Sequence, residues 1–150
     1  MSLERTVNSL SRLVALRGRE ADRLSAVLVG KQAQCERQRH MLERMETLKN
    51  STVNEVASVT AKHHPALALN RADYQDALQQ LIETQREALA RHETEVAASR
   101  DAWSGVALKH KSLDTVLQRK QMTLQQAGIA SEQKRQDQMA NQAWQRRAAR

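Results

Sequence analysis

Five histidines, one cysteine and seventeen carboxylates are the residues of this 150-residue chain equipped to bind a metal or move a proton. His40, His63, His64, His92 and His110 form no HExxH pattern, the arrangement that lets two imidazoles one helical turn apart share a zinc ion. They read instead as solvated or packing positions, with His63 and His64 beside Pro65 as part of a turn. Cys35 stands alone, which excludes an internal disulfide and a cysteine-based metal site and suits a reducing compartment. Carboxylates such as Glu83, Glu87, Glu93 and Glu95 sit in helix-forming sequence without the concave pocket whose low dielectric would tune a general acid or base. Gly18, Gly30, Gly105 and Gly128 are isolated, so no glycine-rich loop is present to cradle a phosphate. The expectation is a protein that is not an enzyme and that needs no metal and no cofactor.

Positive charge is the remaining chemistry. The formal net charge is +7, and residues 1–99 carry 14 Lys and Arg against 13 Asp and Glu, whereas residues 100–150 carry 10 against 4. The excess is therefore C-terminal, where it would suit nucleic acid, an anionic membrane surface or an acidic protein patch. Lys134, Arg135, Arg146, Arg147 and Arg150 have the chemistry to meet phosphates, but Glu132 and Asp137 interrupt them. Trp144 lies in the same basic stretch, away from any packing seam, and is expected to meet a partner; Trp103 falls on a seam and reads as core.

The elements that must carry these residues are long helices. With no Phe, two Trp, one Tyr, four Gly and one Pro, the chain lacks the material for an ordinary globular core and is rich in the residues of coiled coils. From Leu3, alternating steps of four and three reach Val7, Leu10, Val14, Arg17, Ala21, Leu24, Leu28, Lys31, Cys35, Gln38, Leu42, Met45, Lys49, Thr52, Val56 and Val59, a seam in which 12 of 17 residues are apolar. Leu13, Val27, Met41 and Leu48 lie one step to the side and widen the stripe. A second seam runs through Tyr74, Leu78, Leu81, Gln85, Leu89, His92, Val96, Ser99, Trp103, Val106, His110, Leu113, Leu117, Lys120, Leu124 and Ala127, at the cost of one stutter between Gln85 and Leu89. Between the seams stand Pro65, which breaks a helix, and Asn70 with Asp73, which resembles an N-cap and its acidic N3 residue.

The sequence therefore predicts an all-α fold, a long two-helix antiparallel coiled-coil hairpin forming a single domain over residues 1–150. Helix 1 is expected at about 2–62, the turn at about 63–70 and helix 2 at about 71–145. A turn centred near Pro65 makes facing residue numbers add to roughly 130, setting Leu42 by Leu89, Cys35 by Val96, Leu28 by Trp103 and Val14 by Leu117. Gln38 then lies by His92 and Lys31 by Ser99, polar layers that fix register at a cost in stability. From about residue 128 helix 2 has no partner and becomes an unpaired basic overhang. No stretch approaches the roughly 18 apolar residues of a spanning helix and no secretory leader is evident, so the chain is expected to be soluble and cytoplasmic.

Several stretches together resemble a known family. These are Gln34-Cys35-Glu36-Arg37-Gln38 leading to Met41-Leu42, Tyr74-Gln75 with Leu78 and Leu81, the run from Glu132 through Lys134, Arg135 and Met139 to Ala140, and Gln145-Arg146-Arg147. They are similar to the FliJ family of flagellar type III export stalk proteins, to which the YscO group of virulence secretion systems is related. The resemblance implies a non-enzymatic stalk whose paired termini enter the pore of a hexameric export ATPase, while a surface nearer the turn meets the membrane export gate. It also implies binding to export chaperones, a monomer when free, and peripheral association with the cytoplasmic side of the inner membrane through partners. Arg12, Arg17, Arg19, Lys134, Arg135, Trp144, Arg146 and Arg147 are then the expected ATPase contacts. Gln38, Leu42, Met45 and Leu81 match the family's gate-facing surface, while Lys49, Ala77, Thr84 and Ala88 depart from it. Leu42, Met45 and Leu81 also stand on the inferred seams, where burial competes with exposure to a gate. The alternatives are a virulence-system stalk of the same family, a generic cargo or chaperone adaptor, and a basic nucleic-acid-binding coiled coil. The last would bind duplex DNA with a steep salt dependence, and no nucleic acid is expected on the stalk reading.

Overall fold

A computed structural model describes residues 2–58 and 65–148. Two helices, α1 (Leu3–Ser58) and α2 (Pro65–Ala148), pack against one another in opposite directions, and the described residues hold no strand. Ser2 caps α1 as a serine at this position should, its Oγ accepting the Arg5 N–H at 3.4 Å, and Glu4 places a negative charge on the positive end of the helix dipole.

The start of α2 differs from expectation. The helix begins at Pro65, so Asn70 and Asp73 lie inside it and are not a cap. A first-turn N–H has no carbonyl to meet, and a proline, already fixed near the helical φ, costs nothing there. Pro65 therefore stands in the first turn of the described helix, and the turn expected at about 63–70 is helical from Pro65 onward. At its other end α2 runs on to Ala148, past the expected limit near 145. His63, His64, Val59, the last residues of the expected first helix and Arg150 lie outside the described residues, as does the side chain of Val56.

The first seam is occupied as the spacing predicts: every position on it from Leu3 to Thr52 is buried or half-buried. Its fully buried members, Val7, Val14, Ala21, Leu28 and Cys35, recur every seven residues, the repeat that keeps one helical stripe against a partner when the pair supercoils left-handedly. The second seam needs a correction at its start. Tyr74 and Leu81 are exposed, whereas Gln75 is half-buried and Leu78 and Ile82 are buried, Ile82 being 1 % exposed. The run Gln75, Leu78, Ile82, Gln85, Leu89, His92 and Val96 alternates threes and fours without interruption, so the stutter disappears. Lys120 and Ala127, also expected on this seam, are exposed.

Two compact units share the helices, one comprising Met1–Asp22 with Ser104–Arg150 and the other Arg23–Trp103. In the first, Val7, Val14 and Leu117 form a buried cluster against which Leu10, Leu113 and Leu124 pack. Gly18 lets α2 come close: a Cβ there would lie 3.1 Å from His110 Nε2. From Gln125 to Ala148 every residue of α2 is exposed, so the packing ends at Leu124, a little before the expected 128. The second unit is held by Leu28, Cys35, Leu78 and Ile82, and its register is pinned by polar pairs between the helices. Arg39 Nη2 donates to Glu93 Oε1 at 2.7 Å, Arg86 Nη2 to Glu46 Oε1 at 2.5 Å, and Lys49 Nζ to Gln79 Oε1. The facing numbers of these pairs add to 132, 132 and 128, in keeping with the sequence register of roughly 130.

Candidate partner-binding surfaces

The eight residues expected at an ATPase fall into two groups. Arg12, Arg17 and Arg19 stand on the part of α1 that packs beside α2, with Arg12 and Arg19 exposed and Arg17 half-buried. Arg17 Nη1 donates to Glu20 Oε2 at 2.7 Å within its own helix, a pair of modest worth because both side chains are about two-fifths exposed. Arg17 also borders an open groove of about 450 Å³ lined by Leu13, Leu108, Lys109, Ser112 and Leu113. A neighbouring groove of about 430 Å³ is lined by Thr6, Ser9, Leu10, Leu13, Val116 and Lys120. Both are open channels along a helix pair, lacking the enclosure that shifts a catalytic pKa.

Lys134, Arg135, Trp144, Arg146 and Arg147 lie on the exposed stretch of α2. By register Arg12 is level with about residue 118, so Lys134 begins about 24 Å farther along the helix at 1.5 Å per residue. The structure therefore does not gather the eight into one site. Within the stretch, Trp144 and Arg147 are three apart and share a face, and Arg135 and Arg146, eleven apart, share another. Arg135 is paired with Glu132 at 2.9 Å. Trp144 is 71 % exposed, and Arg146 and Arg147 stand in the last turn, where positive charge suits the negative end of the helix dipole.

The gate-facing candidates also divide. Gln38, Leu42 and Met45 are half-buried on the α1 seam, committed in part to holding the hairpin together, whereas Leu81 is off the seam and 44 % exposed. Competition between burial and exposure thus ends differently for Leu81 than for the other two. Gln38 Oε1 is buried with no hydrogen-bond partner, the cost anticipated for a polar layer. Gln38→Leu is accordingly expected to raise stability by about 1 kcal/mol, read as a higher denaturant midpoint at unchanged slope. A lower midpoint would show that the amide is satisfied and needed.

The interhelical pairs Arg39–Glu93, Glu46–Arg86 and Lys49–Gln79 were not singled out by the sequence reading. For the two ion pairs the register itself carries the signal, since it sets opposite charges at flanking heptad positions of the two helices, whereas Lys49 is a seam residue that reaches the neutral Gln79. The hydrogen bond from Arg39 to Glu93, followed by the charge of Glu36, raises the Arg39 pKa above its ordinary value and keeps this guanidinium charged. Among the described residues no three of His, Cys, Asp and Glu are grouped to hold a metal, and no helix is long and apolar enough to cross a membrane.

With this geometry in place, the chain can be compared with known proteins. The family model described as flagellar FliJ protein fits residues 6–149. No curated protein and no solved structure matches the chain.

Proposed function

The chain belongs to the flagellar FliJ protein family and is thereby a component of the flagellar export apparatus; from that premise we propose that it works without catalysis, as a stalk that couples a hexameric export ATPase to the membrane export gate. The ATPase meets the terminal end of the hairpin, through Arg12, Arg17 and Arg19 beside the packed part and through Lys134, Arg135, Trp144, Arg146 and Arg147 on the exposed stretch. The gate meets the second unit, with Leu81 as the best-presented of the four candidates. Export chaperones bind the same protein, which is a monomer when free and sits at the cytoplasmic face of the inner membrane through its partners.

One observation carries this reading. Residues 125–148 are helical, exposed throughout, basic, and tipped by Trp144 and two arginines. This continuation of α2 has no tertiary packing, the main source of helix stability in proteins, and a bare tryptophan is costly in water, so a surface that takes up both is the natural complement. The test mixes the purified chain with its cognate export ATPase and follows phosphate release and the hexamer population. Stimulation with more hexamer is expected; no change in either sinks the proposal. Retention on duplex DNA that falls steeply with salt would favour the nucleic-acid reading instead.

A further inference from the structure

The unit formed by Arg23–Trp103 is two-faced. Seam positions a and d point inward, and positions e and g of each heptad lie on opposite flanks of the pair. On the e flank stand Arg39, Glu46, Arg86 and Glu93, joined across the helices as ion pairs. The positions outside them, Glu36, Glu43, Asp76 and Glu83, are exposed acids. That flank is bridged and acidic, its opening of about 230 Å³ lined mainly by the polar Glu46, Lys49, Asn50, Gln79 and Arg86.

The g flank is neither. It presents Val27, Met41 and Leu48 from α1 and Tyr74 and Leu81 from α2, each between 44 % and 50 % exposed. Register sets Leu48 level with Leu81, and Met41 and Val27 level with Ala88 and Ala102. The result is an apolar strip along the crease between two helices from Tyr74 to Met41, with Val27 beyond the polar level of Gln34 and Glu95, and with small residues on the α2 side leaving room. Its outer border is Arg23, Arg37 and Arg44 on the α1 side and Arg91 on the α2 side, all exposed, and among the described residues none of the four is in an ion pair. The spacing ties border to strip. Arg37 and Arg44 lie one turn before and one turn after Met41, Arg44 also one turn before Leu48, and Arg23 one turn before Val27. Glu95 is the acidic exception on this side.

We propose that the g flank of this unit is a docking groove for a third α-helix, supplied by a partner, whose apolar stripe is edged by Asp and Glu. Half-exposed apolar side chains at heptad spacing are what a third helix needs to turn a two-stranded coil into a three-stranded one. The arginine border selects among occupants. A second copy of this chain, laid flank to flank, would bring arginine against arginine, whereas an acid-edged helix would gain pairs with Arg23, Arg37 and Arg44 along the α1 edge and with Arg91 on the α2 edge. The proposal rests on the coupling reading only in sharing Leu81 with the gate-facing candidates; it is independent of ATPase stimulation.

The test uses the full chain and a synthetic probe, a 28-residue helix with Leu at a and d and Glu at e and g, fluorescently labelled and held at nanomolar concentration. Anisotropy should show saturable binding that weakens with added salt. The same helix edged with Lys should bind roughly tenfold more weakly or worse. The double substitution Met41→Glu and Leu48→Glu, checked for retained helicity and unfolding temperature, should weaken the Glu-edged probe by roughly tenfold or more. Arg37→Glu with Arg44→Glu should invert the preference between probes. Equal binding of both probes, binding undiminished by the double substitution, or no binding overturns the proposal. So does sedimentation showing a dimer that the double substitution dissolves, or uptake onto anionic vesicles abolished by it, since another occupant would then own the flank. A failure here with ATPase stimulation intact removes the groove and leaves the stalk.

Discussion

Deletion of residues 129–150 is expected to abolish stimulation of the export ATPase while moving the unfolding temperature of the remaining chain by no more than about 2 °C, the shift that accompanies less than about 1 kcal/mol in a domain of this size. The reason is the burial record. The last side chain of α2 in contact with the core cluster is Leu124, and nothing from Gln125 to Ala148 is covered. Removal of that stretch returns no apolar area to water, so the hydrophobic contribution to folding is almost untouched. What is lost is a basic helical tip, and Trp144→Ala or the pair Arg146→Glu and Arg147→Glu should reproduce much of the loss. Full stimulation by the truncated chain would move the ATPase contact off the exposed stretch and back to the packed end around Arg12, Arg17 and Arg19. A fall of many degrees would mean that the tip folds back onto the hairpin.

The largest stability effect should separate two neighbours. Ile82→Ala is expected to cost about 2–4 kcal/mol, a loss of roughly 5–12 °C, because a fully buried side chain leaves a cavity that a two-helix core cannot refill. Leu81→Ala, one residue away, should cost under about 1 kcal/mol, since nearly half of that side chain is already in water. The order matters more than the sizes. If Leu81→Ala proves the more damaging, the seam runs through Tyr74 and Leu81 with its stutter after all, and the g flank loses two of its five apolar residues. If the order holds, Leu81→Ala is also the clean way to weaken a partner without weakening the hairpin.

The Ile82 case shows where sequence reading reached its limit. The two long helices, the register and the first seam followed from spacing, because over fifteen successive described positions one phase of the heptad fits and the others do not. Near residue 80 that discrimination fails. Leu78, Leu81 and Ile82 are all apolar, and Tyr74 is the more persuasive seam residue beside Gln75 when only hydrophobicity is weighed. The uninterrupted alternation back from Leu89 selects Gln75 and Ile82, so the phase of the longer run outweighs local hydrophobicity. Pro65 misled for a different reason, since proline both ends helices and begins them and the choice depends on whether its missing N–H would have had a partner. The candidate contacts were legible as residue types only: which arginines stand beside the packed hairpin, and which on a bare helix, depends on where α1 ends against α2.

Cys35 has so far been one layer of the seam. It is also the chain's one thiol, 4 % exposed and in the middle of the second unit. Because a thiol reacts as its thiolate and only when a reagent can reach it, modification must wait for the two helices to part at that layer. The chain thus carries its own stopwatch for local opening, needing no label and no engineered residue, at a place where any helix seated along the unit would slow it by holding the layers shut.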